Sequence, residues 1–412
     1  MEPLASIVSR VANEAYGHGR RIMPEQPWWD NLEASFHKFP DDFYLDLRTQ
    51  LMVDATAGVD LLLRTGAATM VGALALPLGL GPQRVREDNA DRLFYQAFVE
   101  GGDPAKFFHA PPADVPVEVL PGGPFGFRPD DGDCVMLRFE SPFETVNPRL
   151  RERYRSHSRN NFAWAQHWRH RDRRRPTLVV IHGFAADPYW VNSRFLALPW
   201  FYKQGYDILL YTLPHHGRRR ALFAPFSGHG YFAHGISHIN ETVAQSIFDL
   251  RIFIDYLRRT GVDKVGVTGI SLGGYTTALA ASVIDDLEFA IPNVPVVSMV
   301  DLIFEWFPVG PAMKAGLRLL DISVHDARYA MAVHCPLTWQ PRLPRDRLMI
   351  IGGAGDRLAP PKHARLLWDH WERCRIHWFP GNHVIHLDQG KYLREMLAFM
   401  RDAGFERRGS RR

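Results

Sequence analysis

The ten residues Val265–Gly274, VGVTGISLGG, hold the most informative pattern in this chain of 412 residues. A serine that projects from a sharp strand-to-helix turn takes up a strained backbone at positive φ. The residues two places before and after it then approach each other closely, so both must be nearly free of side chain. Here those two residues are Gly269 and Gly273. The stretch therefore predicts a strand, a nucleophile elbow at Ser271 and a helix, in that order.

Short apolar runs recur from residue 177 onward and alternate with helical patterns. The runs 178–181, 207–211 and 348–351 are typical of strands that are covered on both faces of a parallel sheet. One helical stripe between them has apolar residues at intervals of three and four: Val243, Ile247, Leu250, Ile254 and Leu257. This alternation predicts an α/β fold with a mostly parallel, doubly wound sheet.

Two further strand ends carry the groups that a serine nucleophile needs. Asp356 follows the run 348–351 and a glycine-rich turn, and His383 follows the run 375–379 and a second turn. A serine hydroxyl is a weak nucleophile unless a base lies within hydrogen-bond reach and a third group orients that base. Because catalytic groups gather beyond the carboxyl ends of parallel strands, we expect Ser271, Asp356 and His383 to meet at one edge of the sheet.

Each of the last two residues has a rival in the sequence. Asp301 follows the apolar run 296–300, which is also read as a strand, and could supply the acid. His386 lies three residues beyond His383 and could be the base if the turn is longer. The sequence favours Asp356 and His383 because both directly follow a strand and a turn.

From about residue 115 to the C-terminus the chain resembles the α/β-hydrolase superfamily, which carries its catalytic groups in the order Ser, Asp, His. The resemblance implies that Ser271 attacks a carbonyl carbon, that His383 transfers the proton and that Asp356 orients His383.

A His-Gly pair after an early strand, His182-Gly183, also resembles the superfamily. The resemblance implies that the oxyanion hole consists of the backbone N–H groups of Leu272 and Phe184, with Ala185 as a substitute for Phe184. His182 is expected to orient this loop by hydrogen bonding and not to act as a base.

The chain divides into a helical N-terminal extension, residues 1–110, and a catalytic domain, residues 111–412. Residues 298–346 lie between two predicted strands and form a connection much longer than usual. In the superfamily an insertion here forms a cap over the active site, so a cap is predicted. A packed pair of additional helices is the alternative.

Composition is that of an ordinary folded protein, with 46% hydrophobic residues, 23% charged residues and a net charge of +4. Three scattered cysteines and the lack of a secretory signal pattern favour the cytoplasm. The uncharged run 65–80 is shorter than the roughly twenty residues of a spanning helix. It is expected to be a buried helix or hairpin, with peripheral membrane contact through residues 61–82 as the alternative.

Two other patterns are given structural interpretations. The arginine-dense stretch 149–175 includes two tryptophans, but it is expected to be a solvated linker or helix face and not a nucleic-acid site. His234 and His238 have the i, i+4 spacing with which two imidazoles share a metal. Since no carboxylate or cysteine completes a ligand set, no metal and no other cofactor are expected.

Taken together, these patterns predict a serine hydrolase that cleaves a carboxylic ester, or a related acyl bond, of a small molecule through an acyl-enzyme. A peptidase similar to prolyl oligopeptidase and an acyltransferase are alternatives on the same fold. An alternative of another class is a non-catalytic, membrane-associated binding protein, although such proteins usually lack a member of the triad. The oligomeric state is left open.

Overall fold

A twisted sheet of nine strands organises the part of the chain that the computed structural model describes, namely residues 27–32, 46–75, 82–123, 127–185, 188–319 and 321–406. In chain order the strands are β1 Glu118–Pro121, β2 Gly132–Glu140, β3 Phe162–His170, β4 Thr177–Ile181, β5 Asp207–Thr212, β6 Val265–Ile270, β7 Ala290–Asn293, β8 Met349–Gly353 and β9 Arg375–Phe379. Their order across the sheet is β1-β2-β3-β5-β4-β6-β7-β8-β9.

The sheet is antiparallel at one end and parallel elsewhere. Strands β1, β2, β3 and β5 pair antiparallel in that order, whereas β5, β4, β6, β7, β8 and β9 pair parallel. Every residue of β4, β5 and β6 is buried, as expected for strands covered on both faces. The predicted doubly wound, mostly parallel sheet is confirmed.

Helices pack on both faces of this sheet. The α-helices of the described residues are α1 Trp28–Asn31, α2 Leu47–Met70, α3 Pro82–Glu100, α4 Arg151–Arg155, α5 Tyr189–Phe195, α6 Leu198–Lys203, α7 His229–Phe232, α8 Ile236–Arg259, α9 Leu272–Val283, α10 Met299–Glu305, α11 Val309–Leu319, α12 Val324–Ala330, α13 Pro361–His370 and α14 Gln389–Asp402. A π-helical turn, Val71–Ala75, continues α2. The predicted apolar stripe of α8 is buried along its whole length.

The expectation of a solvated linker or helix face is wrong for residues 162–170, because these nine residues form β3. Trp168 is fully buried and stacks on Phe127 with ring centroids 4.3 Å apart. The arginines lie mainly in the segments that flank the strand, and Arg171 there bonds Asp133 at 3.0 Å. The strand was hidden by the density of charge in these flanks and by its own lack of a period of two, since the polar residues Gln166 and His167 are buried in it.

The interpretation of residues 296–300 as a strand is also wrong. The strand in this part of the chain is β7, which ends at Asn293. Ser298 caps helix α10, and its side chain accepts a hydrogen bond from the backbone N–H of Asp301. Residues 298–346 then contribute α10, α11 and α12.

The N-terminal part packs directly on the sheet domain. On α3, Tyr95 donates to the carboxylate of Glu241 at 2.9 Å, and Asp88 accepts the N–H groups of Ile236 and Ser237 at the start of α8. In the described residues no helix combines the length and apolar character needed to cross a membrane. Two predictions fall partly or wholly outside the described residues. The expected absence of a secretory signal concerns residues 1–26, and the segment 61–82 includes residues 76–81, neither of which is described.

Candidate active site

Ser271 occupies a sharp turn between β6 and α9. Its backbone has φ 57° and ψ −112°, a conformation that is strained for a residue with a side chain. A Cβ on Gly273 would lie 2.1 Å from the backbone oxygen of Ile181, and one on Gly269 would lie 2.4 Å from the backbone oxygen of Gly273. Both glycines are therefore required by close backbone packing, as the sequence pattern predicts.

Asp356 and His383 lie side by side beyond the ends of β8 and β9. The Nδ1–H of His383 donates to Oδ2 of Asp356 at 2.6 Å. The other carboxylate oxygen accepts the backbone N–H groups of Leu358 at 2.9 Å and Ala359 at 2.8 Å. Because Asp356 is anchored in this way, it fixes His383 in the tautomer whose Nε2 carries a lone pair.

The charge on His383 is set by opposing effects. Burial alone would lower the pKa of His383, but the charge and hydrogen bond of Asp356, together with the charge of Asp60, outweigh it. The pKa of His383 is therefore raised above its ordinary value of 6.5. The raised value indicates a base that is more readily protonated than an ordinary histidine.

The two rival residues are engaged elsewhere. Asp301 forms a buried ion pair with Arg328, with 2.7 Å between Oδ1 and Nη2. The imidazole of His386 contacts the hydroxyl of Tyr392 at 3.0 Å and the backbone oxygen of His383 at 3.1 Å. The structure thus brings Asp356 together with His383 and does not bring Asp301 to it.

A largely apolar cavity of about 340 Å³ is lined by both Ser271 and His383. The predicted oxyanion residues Leu272 and Phe184 also line it. Leu272 is the first residue of α9, so its N–H has no acceptor within that helix. A Cβ on Gly183 would lie 3.5 Å from Cβ of Ser271, which places the chain just before Phe184 against the elbow.

The loop after β4 is held by His182. Its Nδ1 bonds the backbone oxygen of Gly183 at 2.7 Å, and its Nε2 accepts the N–H of Leu213 at 3.1 Å. Both ring nitrogens are used in this way, so His182 braces the loop, as the sequence analysis expects of it.

Asp60 is a contributor to the site that the sequence analysis missed. It lies on α2 and is fully buried, and its Oδ2 accepts the backbone N–H groups of Arg357 and His383, each at 2.9 Å. Burial, the main effect, raises the pKa of Asp60 in spite of these two hydrogen bonds. The sequence feature that could have revealed this role is that Asp60 is the single acidic residue in the otherwise uncharged run 55–63.

Two helices outside the sheet form part of the cavity wall. Helix α2 contributes Leu63, Ala67 and Met70, and α10 contributes Met299 and Ile303. Besides the hydrogen bond from His383 to Asp60, Nδ2 of Asn382 donates to the backbone oxygen of Thr56 at 2.7 Å. Both bonds tie α2 to the loop that carries His383. The run 61–75 is thus helical and partly faces the cavity. The expected burial of the run 65–80 is wrong for most of its described part, because only Ala68 and Val71 of residues 65–73 are buried. Membrane contact through residues 61–82 stays a prediction.

The histidines with metal-ligand spacing lie in a different place. His234 and His238 stand just before and within the start of α8, where His157, from the segment before β3, joins them. Sequence spacing gave no sign of this third histidine.

Comparisons with known proteins give one family match and one structural likeness that bear on the fold. Residues 130–303 match the family model described as "Alpha/beta hydrolase domain containing 18". The structure is also similar to that of an acetyl xylan esterase from Paenibacillus sp. R4, with a TM-score of 0.52 and 13% identity over 74% of this chain and 93% of that one. The chain thus has the α/β-hydrolase fold, as the sequence predicts, and the resemblance to that superfamily includes the family match over residues 130–303.

Sequence relatives are found in Mycobacterium tuberculosis. Uncharacterized proteins of its strains CDC 1551 and H37Rv are each 30% identical over 242 residues, which is 57% of this chain and 55% of the relative. The chain thus spans about half the length of these curated relatives.

Proposed function

We propose that the protein is a serine hydrolase that cleaves a carboxylic ester, or a related acyl bond, through Ser271, His383 and Asp356. The observation that carries the proposal is that Ser271, on a strained elbow, and His383, hydrogen-bonded to Asp356 at 2.6 Å, line one cavity. Such a cavity, apolar with few polar groups, is the usual form of a small-molecule site.

In the proposed reaction the hydroxyl of Ser271 attacks the carbonyl carbon while Nε2 of His383 takes the proton. Asp356 keeps the imidazole oriented and stabilises its protonated form. The N–H groups of Leu272 and Phe184 are proposed to bind the oxyanion, and one such donor is worth about 3–4 kcal/mol of barrier. His383 then protonates the leaving alcohol, and water repeats the attack on the acyl-enzyme.

The size and lining of the cavity support a preference for short or medium apolar groups. A volume of about 340 Å³ lies near the lower end of the range of roughly 300–1,000 Å³ for small-molecule sites. We propose that residues 298–346 act as the cap, because α10 supplies part of the cavity wall. We propose the same two parts, residues 1–110 and residues 111–412. Helix α2 lies in the first part, but it contributes to the catalytic site of the second.

The experiment is hydrolysis of p-nitrophenyl esters from acetate to decanoate, measured for the wild type, Ser271→Ala and Ser193→Ala. Ser193 is a matched control because it is a buried serine next to Asn192, which lines the cavity. We expect turnover that Ser271→Ala abolishes and Ser193→Ala retains. Turnover that survives in Ser271→Ala would contradict the proposal, and activity on peptide p-nitroanilides alone would favour the peptidase alternative.

A further inference from the structure

Three histidines from two separate segments meet at the start of α8. His157 belongs to the connection between α4 and β3, His234 lies in the turn just before α8, and His238 lies in the first turn of α8. One ring nitrogen from each lies within 4.8 Å of the others. The ring centroids of His157 and His234 are 4.9 Å apart, and those of His234 and His238 are 4.8 Å apart.

The hydrogen bonding of these imidazoles is incomplete. Among the described residues, Nε2 of His157 is buried without a hydrogen-bond partner. Nδ1 of the fully buried His238 likewise forms no hydrogen bond of standard geometry, although the Gly230 carbonyl lies close enough to influence that imidazole. A buried polar atom without a partner costs free energy, so the Nε2 of His157, for which no protein partner is present among the described residues, is the atom that most clearly calls for a ligand.

A fourth histidine supports the group from outside. Nε2 of His215 lies 3.3 Å from Nε2 of His238, and its ring is 5.2 Å from those of His157 and His238. Histidine ligands of metals are commonly held by an outer partner on the other ring nitrogen. His215 is placed to hold His238 in this way.

The neighbouring charges do not exclude a cation. Arg84 is the nearby positive charge that acts on both His234 and His238. It pairs with Glu87 at 3.2 Å, and its side chain lies next to Gly235, where the carboxylate of Asp88 is also close. Glu87 also pairs with Arg153 at 3.5 Å, so the two acids face two guanidinium groups and the formal charges beside the histidines balance before a metal binds.

We propose that His157, His234 and His238 bind one first-row divalent transition-metal ion, with Zn²⁺ the best match to an all-imidazole set. Two imidazole nitrogens on one tetrahedral Zn²⁺, at about 2.0–2.1 Å each, lie roughly 3.3 Å apart, so modest side-chain rotations close the group around the ion. Three protein ligands leave a fourth position for water. The ion joins the connection before β3 to the start of α8, and none of its three histidines lines the Ser271 cavity.

The test uses full-length protein that has been stripped of metal and then titrated with Co²⁺, with Zn²⁺ as competitor. Visible absorption reports imidazole coordination of Co²⁺, and equilibrium dialysis gives the stoichiometry. The variants are His157→Gln and His234→Gln, with His377→Gln as the matched control because His377 is a half-buried histidine of β9 outside the group. Circular dichroism without metal checks the fold of each variant.

We expect one equivalent of Co²⁺ to bind the wild type and the control variant and to be displaced by Zn²⁺. Each ligand variant should lose more than about tenfold in affinity, the smallest loss seen even for an outer partner of a ligand. Metal should also raise the unfolding temperature of the wild type and of the control but not of the ligand variants. Failure of the wild type to bind one equivalent, or binding that survives in both folded ligand variants, would overturn the proposal.

Discussion

Replacing Asp60 by alanine tests whether the N-terminal helix positions the candidate base. In the structure Oδ2 of Asp60 accepts the N–H groups of Arg357 and His383, each at 2.9 Å, so a single carboxylate fixes the loops after β8 and β9. The alanine variant leaves both N–H groups buried without this acceptor. We therefore expect lower stability and a displaced imidazole.

The magnitude follows from the two lost hydrogen bonds. An unsatisfied buried donor costs about 1–3 kcal/mol, so two cost roughly 2–6 kcal/mol. Removing Asp60 also removes a buried carboxylate whose pKa burial raises, and that relief offsets part of the cost. A net loss of about 2 kcal/mol in the free energy of unfolding is expected, near the lower end of the range. Small displacements of a catalytic group can reduce kcat about 10- to 100-fold.

The assay is ester hydrolysis combined with urea unfolding for Asp60→Ala, Asp60→Asn and Asp54→Ala. Asn keeps one acceptor oxygen and should restore much of kcat. Asp54 is exposed on the same helix, so Asp54→Ala should behave as wild type. KM should change little in Asp60→Ala, because the cavity wall stays in place. A kcat within twofold of wild type in Asp60→Ala would refute the positioning role.

Three further predictions concern the elbow, the base and the cavity. Gly273→Ala should lower the free energy of unfolding by about 1–3 kcal/mol or more, because its Cβ would lie 2.1 Å from a β4 carbonyl oxygen. Urea unfolding measures the loss, and the control Gly66→Ala, at an exposed position with open space, should not destabilise the protein. Because the pKa of His383 is raised, kcat/KM should decrease on acidification, with a midpoint above pH 6.5 in a pH–rate profile. Asp356→Asn removes the charge that raises this pKa, so the midpoint should move to lower pH. An unchanged midpoint would contradict the assignment of His383 as the base. Ala67→Phe should fill part of the cavity and reduce kcat/KM for octanoate about tenfold while sparing acetate; equal losses on both esters would count against the assigned wall.

The parts of the fold and site that the sequence predicted are those governed by local rules. The elbow could be read because close backbone packing permits only glycine at positions 269 and 273. The places of Asp356 and His383 could be read because each follows an apolar strand and a turn. The approach of Gly269 to Gly273 and the strand-and-turn patterns act within about ten residues, so the sequence displays them directly, whereas the approach of Gly273 to Ile181 of β4 is a tertiary contact.

The parts that were missed depend on tertiary packing. Strand β3 was missed because arginines crowd its flanks and its own sequence lacks a period of two, although Trp168 is fully buried. Asp60 was missed because its partners Arg357 and His383 lie in distant loops. His157 approaches His234 only once β3 and α8 are packed. Long-range contacts of this kind leave almost no local pattern.

The central claim is that Ser271 is the nucleophile. The most direct measurement is peptide mass mapping after reaction with a fluorophosphonate, in the native and the heat-unfolded protein. We predict one adduct per native chain, located on Ser271, and none after unfolding or in His383→Ala. A native protein that gains no adduct, or gains one on a different serine, would contradict the account.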